Sequence, residues 1–459
     1  MGCPSNINPW LCEKLKEKGL LKDPPGNQGP MLNLLIEIEP SAYNDVASYL
    51  QKMGLSPSAP FFFGKYIEVR VPSTLVPQIA SIPGVKKINY NMPVSIGRRI
   101  NDPLLGQLEN VTVEIPPFPN IPLPAPPGSP VHQNYLFIPT SVSRKVLELP
   151  EDSILKKTLI AVVDTGSPWS FHPQVQGLTL NIQSFVPGEA LAYDNMGHGT
   201  WCTTASMGKS AQTTYGLVQG SAPAGNTVIV AKVLDVAGSG DTSWIIKGME
   251  WAYLQGAKVI SLSLGGTPQG GVNDDPFCDV VNTLYNAGTY SVIAAGNSGP
   301  DDYTVGSPGF CPNALTVGAY SITDKDVSYF SSRGPSASWY KTHKEQWEQD
   351  YQEYGDYLIK PDVVAPGGGR ASEKSTPQEL LYSGCMGWFC GFYDGQPLYP
   401  FEGMMGTSMA TPQVAGLVAL AIDKGEIFSI DQVKNKMSAN WGDKKSNSWG
   451  WGLLTYSLL

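Results

Sequence analysis

The sequence predicts an α/β fold in which a mostly parallel central sheet is flanked by helices, with a small α+β domain before it. Two mainly apolar runs, Leu159–Val163 and Tyr290–Ala295, have the length and composition of strands that are buried on both faces. A third run, Val414–Ile422, is apolar on all sides, which predicts a helix at the centre of the domain. Buried strands and a buried helix together are typical of a sheet that is covered by helices.

The small domain is predicted over residues 31–98 from alternating strand and helix patterns. Apolar residues recur at every second position in the predicted strands and at helical spacing in the predicted helices. The segments are, in chain order, Leu34–Ile38, Val46–Met53, Ile67–Val71, Leu75–Ile82 and Val85–Tyr90. With one more strand near Phe61, the order becomes β-α-β-β-α-β, which is a ferredoxin-like unit. An unrelated small domain is the alternative, because periodicity alone specifies topology poorly.

Composition divides the rest of the chain into three parts. Residues 1–30 form an N-terminal extension, and residues 99–133 form a proline-rich linker that is too stiff and too poor in apolar residues to pack. Residues 134–459 form the α/β domain, and we expect residues 134–150 to wrap onto it. Two insertions in this domain, 337–358 and 367–405, either shape a cleft or decorate the surface.

The most informative segment is Gly406–Pro412, which places Ser408 at the start of the apolar helix. Small residues allow the backbone to approach closely, and Pro412 suits the first turn of a helix, where its missing N–H costs nothing. Ser408 then lies at the positive end of the helix dipole. An ordinary N-cap is the alternative for a single serine, so a nucleophilic role depends on a base and a carboxylate elsewhere.

Only one of the four histidines lies in a frame that suits a catalytic base. His198 belongs to the small-residue segment Asn195–Thr200, in which glycines allow a substrate to approach the imidazole. A helix predicted after Thr200 fixes the direction of the ring. His132, His172 and His343 have no such frame, and we interpret them as ordinary surface or core residues.

Two polar residues follow the two predicted strands, Asp164 after the first and Asn297 after the second. Functional groups in open α/β sheets collect at the carboxyl ends of the strands. A carboxylate there can orient an imidazole, and a side-chain amide can donate to an oxyanion. Asp164–Gly166 also matches the signature of aspartic proteases, which require two such carboxylates. No second Asp-Thr-Gly or Asp-Ser-Gly occurs in the chain, so that alternative needs a homodimer.

Asp164, His198, Asn297 and Ser408, in that order and in those frames, resemble the subtilisin-like serine proteases, the subtilase family. The resemblance extends over Lys157–Leu454. It implies that Ser408 attacks the scissile carbonyl, that His198 accepts and returns the proton, and that Asp164 holds the imidazolium. Asn297 and the Ser408 N–H would bind the oxyanion. The implied activity is that of a serine endopeptidase working through an acyl-enzyme.

The resemblance also implies a cleft that binds the substrate backbone by strand addition. Two strand edges would pair with the substrate, and a pocket would take one of its side chains. The edge residues are Gly238, Ser239, Gly240, Ser263, Leu264 and Gly265, and the pocket residues are Ala294, Ala295, Gly296 and Gly306. Pairing with the substrate backbone favours extended or unfolded proteins. Because none of the pocket residues is charged, we expect broad specificity with a preference for large apolar side chains at the pocket.

By the same resemblance, residues 31–98 are a propeptide that inhibits the enzyme until it is cut off. We expect self-processing between Asn91 and Pro150, so that the chain is made as a zymogen. The alternative from another class is a catalytically silent binding scaffold, in which the cleft stays blocked. An esterase or a peptide ligase would use the same acyl-enzyme with a different substrate or acceptor.

Composition limits the partners that the chain can have. The net charge of -9 argues against nucleic acid, and no apolar run is long enough to predict a membrane-spanning helix. Protein or peptide substrates and the propeptide are then the expected partners. The chemistry requires no cofactor, and we predict no metal ligands. Subtilases often bind calcium through an aspartate where this chain has Gln174, and spacing assembles no site around Asp301 and Asp302.

Seven cysteines cannot all pair within one chain. Cys202 is the candidate for the free thiol, because it lies on the same predicted helix face as His198 and resembles a cysteine of proteinase-K-like subtilases. The candidate disulfides are Cys278 with Cys311 and Cys385 with Cys390. Disulfides and a charged fraction of only 15% favour an extracellular or cell-surface enzyme, although the N-terminal residues do not have the pattern of a signal peptide.

Overall fold

A computed structural model describes residues 3–20, 29–96, 135–387, 390, 392–393, 396–397, 400–427, 429–442 and 444–459. The predicted linker and His132 lie outside these residues. The N-terminal part contains three helices and three paired strands. In chain order they are α1 (Pro9–Glu17), β1 (Met31–Ile38), α2 (Tyr43–Lys52), β2 (Tyr66–Pro72), α3 (Val76–Ala80) and β3 (Val85–Tyr90). The strands form an antiparallel sheet in the order β2-β1-β3.

The strand that we predicted near Phe61 does not form. Phe61 makes a single antiparallel bridge with Tyr66 across a turn, in which Phe62 and Phe63 have φ values of 52° and 56°. Two consecutive left-handed residues cannot continue a strand, and their N–H groups form a concave site for an anion. The carboxylate of Glu250 accepts both N–H groups at 2.7 Å. A contact with the α/β domain therefore takes the place of a strand.

The N-terminal extension packs against the small domain. Residues 6–8 lie parallel to β3, joined to Ile88 by backbone hydrogen bonds of 2.8 and 2.9 Å. Helix α1 begins after Asn8, whose Oδ1 accepts from the Trp10 N–H at 3.0 Å and so caps the helix. The extension thus adds a parallel β-bridge and a helix to the domain that we predicted from residue 31 onward.

The α/β prediction is confirmed by an eight-stranded sheet. The remaining strands are, in chain order, β4 (Pro93–Ser95), β5 (Tyr135–Pro139), β6 (Ile160–Asp164), β7 (Thr179–Ser184), β8 (Ala211–Thr213), β9 (Gly216–Val218), β10 (Thr227–Lys232), β11 (Ser239–Asp241), β12 (Val259–Leu262), β13 (Tyr290–Ala294), β14 (Leu315–Ser321), β15 (Asp326–Val327), β16 (Val363–Pro366), β17 (Gln378–Gly384), β18 (Phe392–Tyr393), β19 (Gln396–Pro397) and β20 (Phe401–Met404). The sheet order is β15-β14-β13-β12-β6-β10-β7, and β16 also pairs with β14. Only the β14–β15 pair is antiparallel.

The helices that follow α3 are α4 (Thr140–Val146), α5 (His198–Met207), α6 (Thr242–Leu254), α7 (Pro276–Asn286), α8 (Trp339–Thr342), α9 (Lys344–Tyr354), α10 (Thr407–Lys424) and α11 (Ile430–Trp441). Of these, α5, α6, α7 and α10 pack on the strands of the sheet, as the sequence predicts. Helix α10 is buried from Thr407 to Ala421 and packs on β12, β13, β14 and β16. The prediction of a central apolar helix is confirmed. None of the helices in the described ranges is long and apolar enough to cross a membrane.

Each insertion forms secondary structure of its own. Residues 337–358 contain α8 and α9, and residues 367–405 contain β17 to β20. Strand β17 pairs with β20 and with β5, so the chain that follows the linker is built into the α/β domain, as we expected for residues 134–150.

The predicted disulfides Cys278–Cys311 and Cys385–Cys390 are confirmed, Cys202 is a buried free thiol, and a further disulfide, Cys3–Cys12, was not predicted.

Candidate active site

Asp164 and His198 meet at the carboxyl edge of the central sheet. Asp164 is the last residue of β6, and His198 is the first residue of α5. Nδ1 of His198 lies 2.7 Å from Oδ1 of Asp164, and both side chains are buried. Nε2 of His198 has no hydrogen-bond partner among the described residues. One nitrogen is thus held by the carboxylate, and the other is available to accept a proton.

Burial disfavours a charged imidazole, but the Asp164 carboxylate outweighs that effect and raises the pKa of His198 well above its ordinary value. The sulfur of Cys202 lies 3.8 Å from Nδ1 of His198. Because burial raises the pKa of the Cys202 thiol, this neighbour is uncharged near neutral pH. Asp164 is therefore the group that stabilises the imidazolium.

Asp194, which we did not predict from the sequence, fixes the start of α5. Its Oδ1 accepts from the N–H groups of Met196 and Gly197 at 3.0 and 2.8 Å, and its Oδ2 accepts from Thr200 N–H at 2.7 Å. The carboxylate satisfies N–H groups that have no partner within the helix, and so it orients the turn that carries His198. The available signal was an acidic residue just before a predicted helix start.

Ser408 lies in the first turn of α10, but Pro412 does not. The helix begins at Thr407 and Pro412 lies inside it, so our prediction of Pro412 in the first turn is wrong. A proline at this position cannot donate to the carbonyl oxygen of Ser408, four residues earlier. That oxygen accepts instead from Ser263 Oγ at 2.9 Å and from Cys202 Sγ at 3.6 Å. Side chains from the cleft edge and from α5 therefore hold the backbone of Ser408.

The hydroxyl of Ser408 is buried and donates to the carbonyl oxygen of Ser263 at 3.3 Å. Within the described part of the chain, no hydrogen bond joins Ser408 Oγ to His198 Nε2. Hydrogen bonds between a nucleophile and its base are often absent or long before a substrate binds. The serine side chain must turn from Ser263 towards the imidazole for the reaction.

Asn297 follows β13 and reaches the same edge of the sheet. Its Oδ1 accepts from Thr407 N–H at 2.8 Å and from Thr407 Oγ1 at 3.0 Å. These two bonds fix the side-chain amide, whose Nδ2 would lie 3.3 Å from a Cβ placed on Gly406. The donor end of the amide is thus held beside the turn that precedes Ser408, as an oxyanion donor requires.

The predicted cleft is occupied by a segment of the chain itself. Strand β4 lies antiparallel to β11. On the same side, the Ile96 N–H donates to the carbonyl of Gly238, which directly precedes β11, at 3.2 Å. On the other side of β4, Ser95 and Gly265 exchange two backbone hydrogen bonds of 3.1 Å. Residues 93–96 are therefore an added strand between two edges, which is the arrangement that we expected for a substrate.

The predicted pocket residues lie next to this cleft. Gly306 N–H donates to the Ala295 carbonyl at 3.1 Å, and Gly266 N–H donates to the Ser307 carbonyl at 2.8 Å. Through these bonds, residues 306 and 307 join the segment that follows β13 to the segment that follows β12. Among the predicted edge residues, Gly238, Ser239, Gly240 and Gly265 pair with residues 93–96. The other predicted residues are next to these or to the bonded pair Ala295 and Gly306 in the chain; they are Ser263, Leu264, Ala294 and Gly296.

Donor atoms of Asp164, His198 and Cys202 lie within 4.8 Å of one another. Imidazole and thiol ligands suit soft metal ions rather than calcium, which takes oxygen ligands. Nδ1 of His198 is already bonded to Asp164. We therefore interpret Asp164 and His198 as a catalytic pair and Cys202 as a neighbouring thiol.

The sequence profile of the subtilase family matches residues 155–452. Serine protease AprX of Bacillus subtilis (strain 168) is 34% identical to the chain over 321 residues, which is 65% of this chain and 64% of AprX. Thermitase of Thermoactinomyces vulgaris is 29% identical over 298 residues, which is 63% of this chain and 86% of thermitase. The chain thus spans less than two thirds of the length of AprX.

A solved structure shows the same fold. It is the crystal structure of fervidolysin from Fervidobacterium pennivorans, a keratinolytic enzyme related to subtilisin, with a TM-score of 0.63 and 17% identity over 95% of this chain and 62% of fervidolysin. The family profile covers well over half of the chain and contains Asp164, His198, Asn297 and Ser408. The chain belongs to the subtilase family.

Proposed function

We propose that the chain is a serine endopeptidase that hydrolyses peptide bonds through an acyl-enzyme. The observation that carries this proposal is the 2.7 Å contact between His198 Nδ1 and Asp164, which leaves Nε2 without a partner among the described residues. The same site contains the hydroxyl of Ser408 and the fixed amide of Asn297. The names of relatives such as serine protease AprX support the same activity.

In the proposed acylation, Ser408 Oγ attacks the scissile carbonyl carbon while His198 Nε2 takes the hydroxyl proton. The resulting oxyanion accepts hydrogen bonds from Asn297 Nδ2 and from the Ser408 N–H. His198 then gives its proton to the leaving amine as the C–N bond breaks, and the acyl group stays on Ser408. A water molecule repeats the sequence with His198 as the base, which releases the acid and regenerates the serine.

Asp164 contributes by holding the imidazole through Nδ1, so that Nε2 is the nitrogen that accepts the proton. Its negative charge also stabilises the imidazolium that forms in each step. Asp194 acts on the same ring from a distance, since it orients the turn that begins α5. It is a positioning residue and touches no reacting atom.

We propose extended or unfolded proteins as the substrates, because pairing at two strand edges requires an extended backbone. The segment that occupies the cleft supports this proposal, since its apolar side chains Val94 and Ile96 are both buried. A Cβ on Gly238 would lie 2.8 Å from Ile96, so a larger residue at 238 would close this part of the cleft. Glycine and alanine walls at the pocket support broad specificity with a large apolar side chain before the scissile bond.

We also propose that residues 31–98 are an inhibitory propeptide of a self-processing zymogen. Strand β4 fills the cleft, and the small domain also contacts α6 and α7. Glu250 of α6 binds the turn at Phe62, and Asp279 of α7 accepts from Lys65 at 3.0 Å and from the Tyr66 hydroxyl at 2.9 Å. The peptide bonds that follow Ile96 in the sequence are the candidate cleavage sites, because the added strand leads to them.

The proposed reaction needs no cofactor, because nucleophile, base and oxyanion donor are side chains of the chain itself. We propose that calcium is not required either. The partners are protein or peptide substrates and the propeptide, and the net charge of -9 disfavours nucleic acid. Three disulfides in the described ranges support an extracellular or cell-surface location, where such bonds persist.

Incubation of the purified chain, with Ser408→Ala as the control, tests this proposal. Mass spectrometry should find a new N-terminus shortly after Ile96 in the active chain only, and a fluorophosphonate should then label Ser408. The processed form should cut unfolded casein. An intact chain that takes no label would support the silent scaffold, and cleavage of ester but not amide substrates would support an esterase.

A further inference from the structure

The loop Gln269–Asp275, which we call the dock loop, connects the cleft to helix α7. It follows the edge that holds Ser95, and its Asp275 caps α7 and accepts from Ser307 Oγ at 3.0 Å beside the pocket. The propeptide-like domain contacts this loop directly. Tyr90 N–H donates to Gln269 Oε1 at 3.1 Å, and Lys87 Nζ lies 2.8 Å from Asp274 Oδ1.

The insertion 337–358 supports the dock loop from the other side. Gln346 Nε2 donates to Asp274 Oδ2 at 2.8 Å, so one carboxylate joins the insertion to Lys87 of the small domain. The Tyr340 hydroxyl accepts from Val272 N–H at 2.9 Å and donates to Asp350 at 2.6 Å, and Tyr340 is fully buried. The insertion therefore holds the loop in the conformation that receives the small domain.

The N-terminal extension reaches across this junction. Asn8 is fully buried, and its Nδ2 donates to Asn89 Oδ1 at 2.9 Å and to the Asp274 carbonyl at 3.0 Å. Its Oδ1 caps α1 at the same time. Farther along α1, Glu13 Oε1 lies 3.1 Å from Nε2 of His343, whose ring stacks on Trp339 in the insertion. One helix thus contacts the small domain, the dock loop and the insertion.

We propose that the insertion 337–358 is a receiving surface for residues 3–20, and that this contact is an inhibitory clamp. The clamp holds the small domain on the cleft in addition to the contacts of β4, Glu250 and Asp279. It rests on the proposed function, since a clamp has a role only if the small domain is an inhibitor. The clamp delays release of the cleft and leaves the catalytic groups untouched.

Hydrogen exchange on the full chain carrying Ser408→Ala tests the clamp without any need for activity. Asn8→Ala removes the bonds to Asn89 and Asp274, and we expect about tenfold faster exchange in residues 3–20, in β3 and in the dock loop. Glu13→Ala, which removes only a half-exposed ion pair, should have an effect of about twofold or less in the same segments. Lys16→Ala, on the exposed side of α1, is the matched control and should change nothing.

Faster exchange confined to residues 3–20, or no change at all, would overturn the clamp. With Ser408 intact, Asn8→Ala should also shorten the lag before activity appears, while kcat/KM of the fully processed form stays unchanged. A lag equal to that of the wild-type chain would contradict the proposal. If no variant ever labels with a fluorophosphonate, the proposed peptidase function fails, and the exchange data still decide whether residues 3–20 secure the small domain.

Discussion

The central sheet has a fully buried aspartate at each end of its parallel strands, one at the carboxyl ends (the carboxyl edge) and one at the amino ends (the amino edge). The two carboxylates have different partners. At the carboxyl edge, Asp164 Oδ1 contacts His198 and Thr165 N–H, both at 2.7 Å, and Oδ2 has no partner among the described residues. At the amino edge, Asp362 directly precedes β16. Its carboxylate lies within 3.6 Å of three lysine ammonium groups, those of Lys360, Lys434 and Lys445.

The comparison distinguishes Asp164, whose carboxylate orients the catalytic base, from Asp362, whose carboxylate stabilises the fold. Burial opposes ionisation of Asp362, but the three ammonium groups outweigh it and hold the pKa of Asp362 well below its ordinary value. Asp164 instead bonds to the imidazole of His198, whose charge changes as it accepts and returns a proton. Asp164 thus keeps one carboxylate oxygen without a partner among the described residues, whereas both oxygens of Asp362 accept hydrogen bonds.

The strongest test of this difference is Asp164→Asn, which keeps the size of the side chain and removes its charge. An amide would donate to Nδ1 and leave the proton on Nε2, so His198 could no longer accept the proton of Ser408. We expect kcat/KM to fall by about 10⁴-fold with little loss of folding stability. Steady-state kinetics and urea unfolding measure the two effects, and the exposed Asp301→Asn is the control.

The pH dependence of activity gives a second test of the role of Asp164. Because Asp164 raises the pKa of His198, activity should fall as the pH drops through a midpoint above the ordinary histidine value of about 6.5. Any residual activity of Asp164→Asn should titrate at a lower pH. A variant that keeps activity within tenfold of the wild-type chain would show that Asp164 is not the group that holds the base.

At the amino edge, Asp362→Asn should destabilise the fold by about 3–5 kcal/mol, because it leaves buried ammonium groups without a counter-charge. Urea unfolding in a Ser408→Ala background, which prevents self-digestion, measures this loss. Burial lowers the pKa of Lys434 to about 8, so in the folded state the ammonium group that Asp362 stabilises loses its proton as the pH rises through that value. The difference in stability between the wild-type chain and the variant should therefore shrink as the pH rises through about 8. A loss below 1 kcal/mol would contradict the structural role.

The carboxyl edge was predictable from the sequence, and the amino edge was not. Asp164 and Asn297 follow apolar strands, and parallel strands bring such ends together. Lys434 and Lys445 lie far from Asp362 in the chain, and only the folded packing makes them its partners. For the same reason, the pairing of β4 with β11 was missed, since it joins two short segments without a pattern of their own.

Asn297→Ala tests whether the uncharged amide at the carboxyl edge, like the Asp164 carboxylate, affects the rate of the reaction more than the binding of the substrate. The loss of the amide removes an oxyanion donor, for which a fall in kcat of about 10²–10³-fold is typical. The fall should appear in kcat and not in KM, because the donor acts on charge that develops only in the transition state. Asn297→Asp serves as a second variant, since a carboxylate would repel the oxyanion. A change confined to KM would place Asn297 in substrate binding instead.

Glu402 provides a third environment, because no histidine or lysine of the described residues bonds to its buried carboxyl group, and it isolates the effect of burial. Among these residues its Oε1 accepts from the Gly403 N–H at 2.8 Å, and burial raises the pKa of Glu402 to about 7. The folded state then holds a proton that the unfolded state releases above pH 4.5. Stability should therefore fall by about 2–3 kcal/mol as the pH rises from 4.5 to 7. Glu402→Gln should remove this slope, and the exposed Glu373→Gln should keep it. If both variants retain the slope in urea unfolding at several pH values, burial without a partner does not govern this carboxyl.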